Sequence, residues 1–344
     1  MRSLFHLSQP IQTYPRQRRL LNIMKVILAP MEGVLDHPMR ELLCELGGFD
    51  YCVTEFVRVS SQLLPNRVFH RICPELRQGG KTLSGTPVIL QLLGGNADLL
   101  AANAARACNL GAPGIDLNFG CPAKTVNRHD GGAALLKSPD RLYTIVSEVR
   151  KSVPAHIPVT AKMRLGFEDK SLAIENACAI EAGGASHITV HARTKVEGYA
   201  PPAHWQWLNT IQRQVSLPII ANGEVWNVKD YERCRDVSQC MDVMIGRGAI
   251  RTPDIGLQIN AANQNKPYAP LQWSDVCYLI LNFYQRIEHI PTRFACSRLK
   301  QWIGLLSNGY PEGKCLFSRI KRLKDIQIIL TEINKDIKNG PSLR

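Results

Sequence analysis

Eight short apolar runs, each followed by a stretch of helical periodicity, punctuate residues 26–245 of this chain. They are Val26–Ala29, Tyr51–Thr54, Val88–Leu92, Gly114–Leu117, Val159–Met163, His187–His191, Pro218–Ala221 and Val243–Ile245. Each is too short for a helix and is bounded by turn-forming or polar residues, the pattern of a buried strand. Parallel strands need a crossover of about a dozen residues between them. Strand and helix alternating eight times therefore specify the α/β class and, by closure, a (β/α)8 TIM barrel. A doubly wound open sheet is the alternative topology, but no Gly-x-Gly-x-x-Gly follows the first run.

The strand ends are polar. In order they carry Met31 with Glu32, Glu55, Gln91, Asn118, Lys162, His191, Asn222 and Gly246. A barrel brings such positions together at the mouth formed by the C-terminal ends of its strands. Taken singly, each has an ordinary explanation. Gln91 could satisfy a loop carbonyl, and His191 could be a hydrogen-bonded barrel histidine. Lys162 is different, because a lysine inside the alternation Val159-Thr160-Ala161-Lys162-Met163 is costly unless it meets an anion or an electron-rich group. The turns Ala221-Asn222-Gly223-Glu224 and Gly246-Arg247-Gly248-Ala249 follow the last two strands. Glycine there exposes backbone N–H groups to a phosphate, and Arg247 could add a bidentate contact.

One cysteine is set apart. In Ile115-Asp116-Leu117-Asn118-Phe119-Gly120-Cys121-Pro122 the glycine permits a sharp turn at the end of the strand, and the proline blocks an immediate helix. Cys121 is thereby presented outside the sheet, although most cysteines near turns are simply small apolar residues.

Charge divides the chain. Of a net +13, residues 1–25 contribute five basic and no acidic residues, residues 291–344 contribute eleven basic against four acidic, and the middle is close to neutral at +1. A near-neutral body with basic ends is suited to holding a polyanion, while solvated helix faces would explain the charge equally well. Apolar residues recur at helical spacing from Trp273 to Ile337, predicting a C-terminal all-α bundle of about four helices. The expected organisation is a barrel over residues 24–265 and a helical domain over 266–344. Residues 1–23 precede a second methionine and read as a disordered basic extension or an upstream start rather than a targeting segment. The 11 cysteines include no Cys-x-x-Cys pair and no zinc-ligand spacing. That scatter points to reduced thiols in a cytoplasm and to no metal site. No apolar run is long enough to span a bilayer.

From about Met24 to the C-terminus the chain resembles the tRNA-dihydrouridine synthases, flavin enzymes that reduce selected uridines in tRNA. The likeness rests on Leu28-Ala29-Pro30-Met31-Glu32-Gly33-Val34, Asn118-Phe119-Gly120-Cys121-Pro122, Glu55-Phe56-Val57-Arg58-Val59, His70-Arg71-Ile72-Cys73-Pro74-Glu75-Leu76 and Arg298-Leu299-Lys300-Gln301-Trp302. Met31-Glu32-Gly33-Val34-Leu35-Asp36 is similar to the C-type subfamily, which acts on the D-loop uridine at position 16; most of the family has alanine in place of Glu32. The ligand best fitted to the two glycine turns is FMN. The resemblance implies the same cofactor, held by Pro30, Met31, Glu32, Gln91, Lys162, His191, Asn222, Gly223, Glu224, Gly246 and Arg247. It further implies tRNA contacts at Arg58, Asn118, Tyr199, Arg298, Lys300 and Lys321, with Arg319 and Arg322 as alternatives to Lys321. NADPH is the implied electron donor and a monomer the expected state. Two departures, His129-Asp130 before Gly131-Gly132 and the variable Phe119, leave the catalytic assignment intact.

Reducing the C5–C6 double bond of uridine requires a hydride at C6 and a proton at C5. A cysteine thiol, with an ordinary pKa of about 8.5, is mostly protonated at neutral pH and suits the acid's role. Cys121 is the expected acid. Two rivals remain at this stage. A small-molecule flavin oxidoreductase of the dihydroorotate dehydrogenase type would share the barrel but not the basic helical extension. A non-catalytic RNA-binding protein would not need an intact polar ring.

Overall fold

The computed structural model describes residues 24–339. Nine strands form one parallel sheet: β1 Val26–Leu28, β2 Tyr51–Val53, β3 Val57–Arg58, β4 Val88–Leu93, β5 Ile115–Phe119, β6 Val159–Arg164, β7 Ile188–His191, β8 Ile219–Asn222 and β9 Val243–Ile245. The sheet closes because β1 pairs with both β2 and β9, while β2 pairs with β4. The result is the expected TIM barrel. It has eight staves, since β2 and β3 are two pieces of a single one. Val53 lies opposite Ile89, yet Val57 lies opposite Leu92, so four steps on one strand face three on the other. The extra residue is a bulge, and it turns Glu55 into the mouth.

Successive side chains of a strand alternate between the barrel interior and the surrounding helices. Ile27, Val53, Ile220 and Met244 form a small inner apolar cluster, separate from the large outer one between strands and helices. Above it the interior turns polar. Paired positions Gln91, Asp116 and Thr160 form one buried row, and Asn118 with Lys162 the next.

Strand bounds differ from the sequence reading where pairing outlasts the apolar run. The β5–β6 ladder continues through Phe119 opposite Met163, which puts Asn118 inside the strand rather than after it. In the same way β6 reaches Arg164, paired with His191 on β7.

Four helices follow the barrel: Trp273–Ile287, Thr292–Leu306, Pro311–Ile320 and Ile326–Asn339. The first is set by a reciprocal capping box between Gln272 and Asp275. It buries Val276, Ile280, Phe283 and Ile287 along one stripe. Trp302 on the second helix meets Phe283 edge-on at 5.3 Å, and its indole N–H donates to the Ile250 carbonyl at 3.1 Å. Removing that ring would cost roughly 3–5 kcal/mol. Barrel and extension share the outer apolar cluster. Residues 1–23, expected to be an extension, lie outside the described residues. Every cysteine is free, and no helix among the described residues is long and apolar enough to cross a membrane.

Candidate active site

A cavity of about 550 Å³ opens at the C-terminal ends of the strands. All eleven residues expected to hold a flavin line it, and so do Cys121, Asn118 and Tyr199. Its volume lies within the range of small-molecule and cofactor sites.

The wall made by β6 to β9 is cationic. Lys162 is half-buried and donates to Asn222 Oδ1 at 2.9 Å, while Asn222 Nδ2 donates to the Met244 carbonyl at 2.8 Å. Burial, with Arg164 beside it, pushes the Lys162 ammonium down to about 8. Arg164 donates to the carbonyls of Gly120, Thr194 and Gly198 at 2.8–2.9 Å. Arg247 lies over the rings of Tyr199 and Trp226, 4.7 and 4.9 Å from their centroids. Among the described residues none of these three cations has a carboxylate within ion-pair distance. Only Arg193 has one, in Glu224, whose other oxygen accepts from the Trp226 indole at 2.9 Å.

His191 sits amid these charges. Burial first, then Arg164, Lys162, Arg193 and Arg247, hold it well below the usual imidazole range, so the ring is neutral. Its Nδ1 is buried with no hydrogen-bond partner among the described residues. Gly223, at φ +114°, approaches so closely that a Cβ would come within 2.9 Å of the ring. Uncompensated cations, an unfilled acceptor or donor on His191 and a glycine cradle fit an anionic, hydrogen-bonding planar group.

The opposite wall, from β1, β2 and β5, has another character. Glu55 accepts from the Gly33 N–H, and burial with the neighbouring Glu32 carboxylate pushes it up to about 6. Burial raises Glu32 as well. The Cys121 thiol is raised, mainly by burial and against the pull of Arg164 and Arg58. Asn118 Oδ1 accepts from the backbone N–H groups of Gly120 and Cys121 at 3.0 and 2.9 Å, which pins the turn that presents the thiol.

The residues expected to touch tRNA are scattered differently. Tyr199 stands at the rim, 54% exposed, with Arg164 and Arg247 against its ring. Arg58 is exposed and reaches the Thr125 carbonyl at 3.2 Å. Arg298 is committed within the molecule: it pairs with Asp36 at 2.8 Å and donates to the Gly33 and Val34 carbonyls at 3.0 Å. Lys300 donates to the Leu323 carbonyl at 2.9 Å. Lys321 is exposed, whereas Arg319 is tied to Glu332 and Asp336. Sequence reasoning passed over Arg164 and Trp226 in the cavity. The signal for Arg164 was present, since it is the next inward position after Lys162 on the same strand.

The family model described as dihydrouridine synthase matches residues 27–300. The chain belongs to the dihydrouridine synthase family. A tRNA-dihydrouridine(16) synthase of Pseudomonas putida is 52% identical over 303 residues, covering 88% of this chain and 94% of that protein. One from Neisseria meningitidis serogroup A is 45% identical over 324 residues, covering 94% and 96%. A solved complex of 2-naphthoyl-CoA reductase has the same fold, with a TM-score of 0.55 and 13% identity over 71% of this chain and 50% of that one. Membership of the dihydrouridine synthase family makes the chain a flavin-dependent oxidoreductase.

Proposed function

We propose that the protein is a tRNA-dihydrouridine(16) synthase: it binds FMN, takes electrons from NADPH and reduces the C5–C6 bond of uridine 16 in the tRNA D-loop. The observation that carries this reading is the cavity that gathers a protonated thiol on one wall and unpaired cations on the other. Relatives of that printed name at 45–52% identity supply the position. Arg247, Gly223 and the Gly246–Gly248 turn would hold the phosphate of FMN, and Lys162, His191 and Gln91 its ring. When bound, that cofactor supplies the hydride chemistry at C6.

The chain's own part is to place the uracil and deliver a proton to C5. Cys121 does the latter as a neutral thiol, and its raised proton affinity keeps it loaded at neutral pH. Arg164 and Tyr199 border the space over Cys121 and offer donors to a uracil carbonyl as negative charge develops. A uridine packed in folded RNA has to be extruded to reach this cavity, at a cost of a few kcal/mol. Contacts by Arg58, Lys300, Lys321 and the rest of the helical domain, residues 266–344, offset that cost. Arg298 acts beside them by holding the Met31–Val34 loop. The protein works as a cytoplasmic monomer.

Purified protein incubated with tRNA from cells lacking the gene should consume NADPH only when that tRNA is present. Dihydrouridine should then map to position 16. NADPH oxidation that converts a free pyrimidine equally well would instead favour the small-molecule oxidoreductase.

A further inference from the structure

Between Cys121 and Gly131 the chain makes one short helical turn, Lys124–Asn127, and leaves Lys124, Arg128 and His129 exposed. The single carboxylate of that segment, Asp130, is taken by Arg141 at 2.6 Å. Among the described residues neither Lys124 nor Arg128 has a carboxylate within ion-pair distance. A third cation joins them from another element: Arg58, exposed at the end of β3, donates to the Thr125 carbonyl at 3.2 Å. Because a carbonyl can only accept, His129 also donates to that oxygen, through Nδ1 at 2.6 Å.

The turn is fixed to the rim of the cavity. Pro122 and Ala123 line the cavity, and Lys124 is the next residue. Asn127 Nδ2 donates to the carbonyls of Cys121 and Ala123 at 3.1 and 2.7 Å, which folds the turn back onto the backbone of the thiol. Its far end is held as firmly. Asp130 keeps a left-handed backbone at φ +58°, and Gly95 lies so close to its carbonyl that no side chain would fit there. Arg141 ties the two together, donating to Asp130 and to the Gly95 carbonyl at 3.0 Å.

Exposed cations usually do no more than solvate a surface, so the place of these three decides their use. A base that enters the cavity stays bonded to its sugar, and the phosphates on either side of it remain at the rim. There, beside Cys121, they meet Arg58, Lys124 and Arg128, whose charge no carboxylate competes for. We propose that the Lys124–Arg128 turn, together with Arg58, grips backbone phosphate of the RNA on the Cys121 side of the mouth. The proposal rests on the reading of the substrate as tRNA. It adds Lys124 and Arg128 to the cations of the helical extension, and it places a phosphate contact on the same turn that braces the thiol.

The test is the salt dependence of binding to unmodified tRNA, measured on the flavin-loaded protein. Lys124→Ala with Arg128→Ala should lower the slope of log Kd against log salt by about 1.5, from two phosphate contacts at roughly 0.7–0.9 each. Affinity at about 0.1 M salt should then fall roughly 30-fold, and the loss should close toward about 1 M. Flavin stoichiometry should stay native, since neither side chain lines the cavity. Arg213→Ala with Lys266→Ala removes the same charge from exposed positions just past the helices Gln206–Gln212 and Ile255–Asn263, away from the C-terminal ends of the strands. That control pair should keep the parent's slope.

An unchanged slope in the first pair, an equal fall in the control pair, or loss of flavin from the first pair overturns the proposal. If the slope falls as expected but the parent forms no dihydrouridine, the catalytic reading falls while the phosphate grip stands. If the parent forms dihydrouridine and the first pair binds tRNA with the parent's slope, the grip falls and the catalytic reading stands.

Discussion

The two walls of the cavity are built from the same kind of strand end and do opposite things with charge. On the β1, β2 and β5 wall, burial raises the proton affinity of Glu32, Glu55 and Cys121, so this side gives up protons less readily. On the β6 to β9 wall, burial lowers the proton affinity of Lys162, Arg164 and Arg247, and no carboxylate among the described residues lies within ion-pair distance of them. Desolvation penalises the charged form in both cases. The difference lies in how each side can escape the penalty. An acid escapes it by keeping its proton, whereas an arginine cannot lose one and must find an anion. One wall therefore favours a bound proton and the other an anion.

The sharpest way to break this contrast is at the thiol. Cys121→Ala should lower dihydrouridine formation by about 10³-fold while the protein still binds flavin with the native stoichiometry. Loss of the flavin together with the activity would mean that the two walls are not separable. On the other side, Arg247→Ala should weaken FMN by about 10- to 100-fold, measured by fluorescence titration, as expected for loss of a charge-assisted contact to phosphate. Riboflavin, which lacks the phosphate, should be affected much less. An equal loss for both ligands would remove Arg247 from the phosphate site.

A finer measure of the proton-holding wall is alkylation of Cys121 by iodoacetamide, followed peptide by peptide. Its rate at pH 7 should fall several-fold below that of the exposed Cys315, and its rise with pH should come later than for an ordinary thiol. A rate at pH 7 above that of Cys315 would mark a thiolate, hence a nucleophile rather than an acid.

The smallest effect concerns stability. Glu55 has a folded pKa of about 6, above its unfolded value, so its contribution is fully present below about pH 4.3 and is lost as pH rises through 6. Glu55→Gln keeps the acceptor for the Gly33 N–H and removes the titration. At pH 8 the variant should be more stable than the parent by up to about 1 kcal/mol, after allowing for partial solvent screening. The gain should vanish at pH 4, and a gain independent of pH would assign it to packing instead.

The barrel was legible because each stave is a short apolar run with a polar end, and closure follows from eight repeats of one unit. Cavity residues such as Lys162 and Gly223 were legible for a related reason, since each breaks a local pattern in a way that demands a partner. Asp116 was not. It lies within an apolar run, and its hydrogen-bond partners Gln91 and Thr160 are far away in sequence and adjacent only in register. The cations of the extension were legible as charge but not as contacts. Whether Arg298 faces RNA or the Gly33 carbonyl is decided by how the second helix docks against the first barrel loop, which helical periodicity cannot report.

Leu305, on the second helix of the extension, lines the cavity. Part of the enclosure is therefore contributed from outside the barrel, by a helix whose Trp302 is seated on the Ile250 carbonyl at the barrel's last turn. A change in how that helix docks would alter the shape of the cavity without touching a strand.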